Sequence, residues 1–263
     1  MVTSPTPTAT QHSSLTITWE PLPDDFQLDD TPVENTGQPL IAGALRESLE
    51  LANYIQPQML IASNFGLCAT VNQELVIKAP DWVYVSRVLE PGKERKSYTP
   101  HLEGDIPTVV MEFLSETEGG EYSVKRTPPL GKWFFYEQVL NVPVYIIFEP
   151  ATGLLEVYRF TAGRYELEQP NYDGRHWLAE MQLFLGTWRG TKEERTGYWL
   201  RWWTEAGDLL PWAVEQIEQE RQRAEQEKQR AEQERQRAEQ ERQRADRLAT
   251  YLRSQGINPD EVD

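Results

Sequence analysis

Glu112 is the residue from which chemistry can be argued first. It stands within Asp105–Ser115, where Val109, Val110, Met111, Phe113 and Leu114 form an apolar run. Pro107 opens that run, and Ser115, Gly119 and Gly120 close it. An apolar run bounded by turn residues predicts a buried strand. A carboxylate inside a dry strand loses its hydration, which costs several kcal/mol unless it is paired or binds a cation. Asp81 follows Pro80 at the entrance of another predicted strand, Trp82–Val85. Two carboxylates brought together by neighbouring strands repel, so they hold a divalent cation or share a proton. A small set of hard oxygen ligands suits Mg²⁺ or Mn²⁺, which keep waters and accept phosphate oxygens. A lysine beside them would stabilise charge developing at a phosphorus centre, or help deprotonate a water. Lys132, in the first turn of the helix predicted after the Glu112 strand, can point back at that strand's end, and Lys125 is the other candidate. Each residue also has a plain structural use. Asp is a common turn residue, Arg126 could satisfy Glu112 as an ion pair, and Lys132 could be a solvated first-turn residue.

The elements that must position these groups can be read in order. Leu15–Trp19 alternates as a short edge strand, and Pro21 through Gly37 reads as loop. Pro39–Tyr54 is predicted as a helix whose apolar stripe is Ile41, Leu45, Leu49 and Ala52. Gly43, Glu47, Glu50 and Tyr54 fall on another of its stripes. Short strands are predicted over Met59–Ala62, Gly66–Val71, Leu75–Lys78 and Trp82–Val85, with Glu90–His101 as a surface loop. After the Glu112 strand come a Gly- and Pro-punctuated loop to Pro129, a second helix over Leu130–Asn141 and an apolar strand over Val142–Phe148. Strands Leu154–Phe160 and Arg164–Leu167 follow, and Gly197–Leu210 reads as a last hairpin. Trp199, Trp202 and Trp203 are assigned to the core of that hairpin rather than to base stacking. His12, His101 and His176 fall in loop-like contexts and are not taken as ligands. The pattern predicts an α/β fold with a mixed sheet.

From Pro211 the character changes. Ile217, Ala224, Ala231, Ala238 and Ala245 recur every seven residues within a Gln-Arg-Ala-Glu-Gln-Glu-Arg repeat, which predicts one long helix of roughly 60 Å. The pairs Arg221–Glu225, Arg223–Glu227, Arg230–Glu234 and Arg237–Glu241 are spaced to support it. A coiled coil would carry a second apolar position per heptad. That position is charged here until Leu248, so a weak coiled coil and a solitary charged helix both fit. The organisation expected is a mostly disordered or loop segment over 1–37, an α/β domain over 38–212, the charged helix over 213–255 and a tail over 256–263.

Composition bounds the function. The 263 residues carry a formal charge of −16, and residues 1–213 alone hold 29 acids and 16 bases, a net −13. Such a surface argues against bulk attraction to nucleic acid or anionic membrane. The single cysteine, Cys68, excludes an intrachain disulfide and a Cys-based zinc site. No apolar run approaches the roughly 18 residues of a membrane span, and no charged-then-apolar leader opens the chain. A soluble, cytoplasmic protein is expected.

Four segments together carry a family resemblance: Pro80-Asp81, Val110-Met-Glu112-Phe-Leu-Ser115, Lys132-Trp-Phe-Phe-Tyr136 and Asn141-Val-Pro143-Val-Tyr-Ile-Ile-Phe-Glu-Pro150. They resemble the Uma-two family, restriction-endonuclease-like proteins of the PD-(D/E)XK nuclease superfamily. The likeness covers roughly Pro39 to Gly163, with the later hairpin and charged helix resembling a common extension. It implies a restriction-endonuclease-like mixed sheet flanked by helices and a divalent-metal-dependent phosphodiesterase centre. It places metal-binding acids at Asp81 and Glu112, and the catalytic lysine, four residues before a tyrosine, at Lys132. Leu114 stands where many superfamily members place the strand lysine, so that cation must come from the helix. The helical glutamate that some members add would match Glu47 or Glu50. The reading is therefore a Mg²⁺- or Mn²⁺-dependent endonuclease acting on DNA, with a homodimer through the long helix as a possible assembly. The alternative is a catalytically weakened nuclease fold that serves as an interaction or scaffolding protein through that helix, which the acidic charge favours.

Overall fold

A computed structural model describes residues 15–20, 36–115 and 120–256. The expected disorder over 1–14, most of the loop over 21–37 and nearly all of the 256–263 tail lie outside the described residues. The chain parts into two compact units between Leu210 and Pro211.

The first unit carries β1 (Ile17–Thr18), α1 (Gly37–Leu51), β2 (Leu60–Ala62), β3 (Gly66–Val71), β4 (Glu74–Lys78), β5 (Trp82–Val85), β6 (Ser97–Tyr98) and β7 (Val109–Phe113). It continues with α2 (Lys132–Phe134), which runs directly into a π-helical segment over Phe135–Leu140, and then with β8 (Val144–Glu149) and β9 (Leu154–Thr161). The last strands are β10 (Arg164–Glu168), β11 (Arg175–Leu178), β12 (Leu183–Lys192) and β13 (Arg195–Trp203). A six-stranded sheet in the order β10-β9-β8-β7-β5-β2 forms its centre. Only the β7–β8 pair is parallel, and every other neighbour is antiparallel. Parallel strands at the middle of a sheet are covered on both faces, which is why these two are nearly continuous apolar runs. All of Val109–Phe113 and Val144–Phe148 is buried. One face of the sheet belongs to a core shared by Val83, Val110, Tyr145 and Ile147 with Phe135, Tyr136 and Val139. Elsewhere in the unit, α1 packs against β13, where the Trp202 indole Nε1–H donates to the Leu45 carbonyl at 3.1 Å.

Several boundaries differ from those read off the sequence. Helix α1 stops at Leu51, and Asn53, at φ 53°, turns the chain out of it. Tyr54 therefore leaves the helical stripe and donates its hydroxyl to the Met181 carbonyl at 2.8 Å. The second helix starts at Lys132 rather than Leu130, because Gly131 is extended (ψ 150°), and its later turns are wider than an α-helix. The larger correction concerns the end of the unit. Leu183–Lys192 is a ten-residue strand, and with β11 and β13 it makes a separate three-stranded sheet. Gly186 and Gly190 interrupt its sequence pattern, so no strand is predicted there, although its ladder with β13 is unbroken. In the hairpin expected over Gly197–Leu210, Glu205–Asp208 is a turn that returns to a bridge between Trp203 and Leu209, and the long partner of β13 is β12. Trp199, Trp202 and Trp203 are all buried in this region.

The second unit is α3 (Ala213–Ser254), a helix of 42 residues with no buried position. Its first turn is closed by Glu215, whose carboxylate accepts the Trp212 N–H at 2.8 Å. None of the four Arg–Glu pairs read from the sequence forms. Instead Gln222 bonds Glu218, Gln229 bonds Glu225 and Gln236 bonds Glu232. Fully hydrated Arg–Glu pairs gain little over water and cost side-chain freedom. Among the described residues no helix is long and apolar enough to cross a membrane.

Candidate active site

The register of two antiparallel strands brings the acids together. Trp82 of β5 lies opposite Met111 of β7, and Val83 opposite Val110. One residue beyond that ladder, Asp81 therefore faces Glu112, and directly opposed residues project from the same face of a sheet. The backbone N–H of Phe113 donates to Asp81 Oδ2, which fixes the aspartate at the strand's end. The Asp81 side of the pair is partly open, whereas Glu112 has no exposure at all.

The segment after β7 supplies the partners that a buried carboxylate needs. Lys132 and Tyr136 are four residues apart, so they project from one side of the α2 and π-helical segment. Lys132 Nζ lies 3.0 Å from Glu112 Oε2, and the Tyr136 hydroxyl donates to Glu112 Oε1 at 2.8 Å. Wide helical turns recur at functional sites because they re-aim a side chain, and here the wide turn carries Tyr136. Trp133 packs edge-on against Tyr145, Tyr158 and Tyr165, which seats the start of the helix on the sheet.

A third acid is present that nothing in the sequence marks. Glu121 is 2% exposed and its Oε1 stands 3.8 Å from Lys132 Nζ. Its Oε2 has no hydrogen-bond partner, and the Tyr145 hydroxyl donates to its backbone carbonyl at 2.9 Å. In sequence it follows two glycines in a loop, which gives no hint of burial. The Lys132 ammonium thus sits between two buried carboxylates.

Electrostatics follow from this packing. Burial pushes the Glu112 carboxyl up to about 8; Lys132 opposes that rise and the charge of Asp81 adds to it. For Lys132 burial works against the charge, but Glu112, Asp81 and Glu121 together hold it above the usual lysine range. The Tyr136 hydroxyl is held well above its ordinary range by burial and by Glu112, so it acts as a donor.

The other candidates fall elsewhere. Lys125 is exposed, and among the described residues its ammonium has neither an ion pair nor a hydrogen bond; its carbonyl accepts the Gly131 N–H at 2.9 Å. Arg126 does not reach Glu112 and lies over the Phe134 ring at 5.7 Å. Glu47 pairs with Lys192 at 2.8 Å, and Glu50 pairs with Arg46 at 2.8 Å, so the ion pairs of both glutamates lie away from the acid pair. The α1 residue that does reach the Glu112 strand is Gln38, whose Nε2 donates to the Phe113 carbonyl at 2.6 Å. His176 is no loop residue: it sits on β11, buried, 3.2 Å from Glu168.

Fold and site define a class: an α/β protein of the restriction-endonuclease-like type, with a long C-terminal helix. Within that class, the chain belongs to the Uma2 family. The family model, described as "putative restriction endonuclease", matches residues 39–191, more than half of the chain. The match extends past Gly163 into β12 and leaves β13 and α3 outside. No curated protein matches the chain.

Proposed function

We propose that this chain is a divalent-metal-dependent endonuclease that hydrolyses DNA phosphodiester bonds on a PD-(D/E)XK-type centre. Asp81 and Glu112 are the metal-holding acids and Lys132 is the catalytic lysine. The observation that carries this reading is Glu112 itself, a carboxylate with no exposure, faced by Asp81 and met by Lys132 at 3.0 Å. A buried carboxylate paired with an ammonium is weak evidence for stability, since well-packed apolar residues of similar size often serve as well or better.

The donor set can be tested against the metal. No group of three or more His, Cys, Asp or Glu side chains suited to a metal gathers among the described residues. Two carboxylates alone fit Mg²⁺ or Mn²⁺, which bind through one or two carboxylates plus substrate phosphate and water. When bound, such an ion supplies Lewis acidity at the phosphoryl oxygen and a more acidic water. The chain's own groups do the rest. Lys132 presents positive charge where negative charge develops on the phosphorus oxygens, a contribution realised in the transition state. Tyr136 and Glu121 are positioning residues. Tyr136 fixes the Glu112 carboxylate from behind, and Glu121 holds the Lys132 ammonium from its other side.

Supercoiled plasmid incubated with Mg²⁺ or Mn²⁺ tests this reading. Nicking that EDTA stops, and that Asp81→Asn and Glu112→Gln each abolish while the melting temperature is kept, is the expected result. A metal that binds the native state also raises thermal stability, by about 2.7 kcal/mol at a hundredfold excess over Kd. Absence of both nicking and metal stabilisation would transfer the assignment to the second reading, an interaction protein acting through α3. That alternative draws on one observation: the helix buries none of its residues and exposes Val214, Ile217, Leu248 and Tyr251.

A further inference from the structure

A groove of about 430 Å³ lies between β4 and the segment from Arg126 to Leu130. Its volume falls within the roughly 300–1,000 Å³ of small-molecule sites. Its walls are chemically divided. Val76, Pro128, Pro129 and Leu130 offer apolar surface, while Lys78 and Arg126 bring cations. Lys78 precedes Asp81 by three residues, so its Cα stands within about 11 Å of that of Asp81 along the chain, and its ammonium feels the charges of Glu112 and Lys132. Glu74, at the other end of β4, also lines the groove, roughly 13 Å from Lys78 at strand spacing. The groove is thus positive at the end nearer the candidate active site and negative at the far end.

The cations there are unusual for this protein. Residues 1–213 carry a net −13, yet cations gather here: burial is the main cause that lowers the Lys78 ammonium, Lys132 and Lys125 add to it, and Glu112 opposes it. Among the described residues neither Lys78 nor Lys125 makes a side-chain hydrogen bond or an ion pair. Lys78 and Arg126 on the wall of this groove, neither of them in an ion pair among the described residues, are complementary to an anion. A duplex backbone would use these cations and leave the apolar wall in water. An unpaired nucleotide would use both, placing its phosphate on the cations and its base against proline and leucine side chains, as single-strand sites do with stacking surfaces beside a charged track.

We propose that this groove is a nucleotide-binding subsite that takes one unpaired DNA nucleotide next to the cleaved phosphate. Its phosphate rests on Lys78 and Arg126, and its base on Pro128, Pro129 and Leu130. The placement rests on the nuclease reading, and it narrows the substrate to DNA with a single-stranded or frayed end at the site.

The test uses full-length protein in EDTA, so that binding is read without cleavage. A fluorescein-labelled oligothymidylate and a blunt duplex of matched length are titrated by fluorescence anisotropy. Tighter binding of the single strand is expected, with Lys78→Ala weakening it about tenfold and Lys78→Arg restoring it. The slope of log K against log salt should fall by about 0.7 in Lys78→Ala, the value for one phosphate contact on a single strand. Arg126→Ala should also weaken binding, while Arg164→Ala, an exposed cation on β10, should not. The subsite is wrong if Lys78→Ala binds within twofold of wild type with an unchanged salt slope, if the duplex binds as well as the single strand, or if no oligonucleotide binds. Lys78-dependent binding of the single strand, in a protein that cuts no DNA with Mg²⁺ or Mn²⁺, overturns the nuclease reading and leaves the subsite standing.

Discussion

Removing one oxygen atom, in Tyr136→Phe, tests the packing of the site without disturbing its shape. Tyr136 and Glu112 are both at 0% exposure, and the hydroxyl donates to Glu112 Oε1 at 2.8 Å. Water cannot replace the lost donor, and the ring keeps its contacts with Phe135 and Tyr145. A hydrogen bond to a charged group contributes about 1.5–3 kcal/mol, and one between neutral groups about 0.5–1.5; the melts are compared at about pH 9, where Glu112, whose carboxyl burial pushes up to about 8, carries its charge. Tyr145→Phe supplies the neutral comparison, because that buried hydroxyl donates to the Glu121 backbone carbonyl at 2.9 Å. In a domain of 150–250 residues each kcal/mol moves the melting temperature by roughly 2–4 °C. Tyr136→Phe should then melt roughly 3–12 °C below wild type, about twice the loss in Tyr145→Phe. Tryptophan fluorescence is the probe of choice, since Trp82, Trp199 and Trp202 are buried in the first unit, whereas far-UV dichroism would be dominated by α3. A loss in Tyr145→Phe equal to or larger than that in Tyr136→Phe refutes the argument that Tyr136 supports a buried, charge-bearing Glu112.

Lys132→Ala should lower nicking by about 10²-fold or more, as expected for a lost transition-state contact, and Lys125→Ala should cost far less; equal small losses would show that neither lysine is catalytic. For Glu168, burial raises the carboxyl, but bonds from His176 and Arg159 bring it below its ordinary value near 4.5. A depressed carboxyl stabilises the fold above the unfolded value and loses that effect as pH falls. Glu168→Gln should therefore melt below wild type at pH 7, by an amount equivalent to about 1 kcal/mol, with the gap closing as pH drops below about 4.5; a gap that widens on acidification would contradict this. In α3, the only large aliphatic residues after Ile217 are Leu248 and Leu252, so a homodimer through this helix should depend on them. Leu248→Ala/Leu252→Ala sedimenting as the same oligomer as wild type would remove that anchor.

Much of the site could be read from residue type and spacing. A lone carboxylate in an apolar run had to find a partner, whatever the fold, because the cost of burying it bare is too large. Asp81 at a strand entrance and Lys132 in the first turn of a helix were candidates by the same logic, and the Pro-punctuated segments bounded most of the central strands within two or three residues. The heptad period likewise announced α3, because an exposed helix of that length rests on local propensity alone.

Other features depended on long-range geometry. The register of β5 against β7, which sets Asp81 across from Glu112, is a pairing between segments about thirty residues apart, and a shift of one residue would send Asp81 to the other face. That Lys132 rather than Lys125 meets Glu112 follows from the extended Gly131 before it, which local propensity does not encode. Strand β12 was hidden because its two glycines break the pattern while its ladder with β13 survives them. Glu121 was hidden for the opposite reason: a loop acid reads as solvated until the chain folds back and buries it beside Lys132. What the sequence determined by itself is the set of groups that cannot stand alone in a dry interior. Which of them meet was decided by the tertiary structure, because strand register and helix entry are fixed by the packing of the whole core.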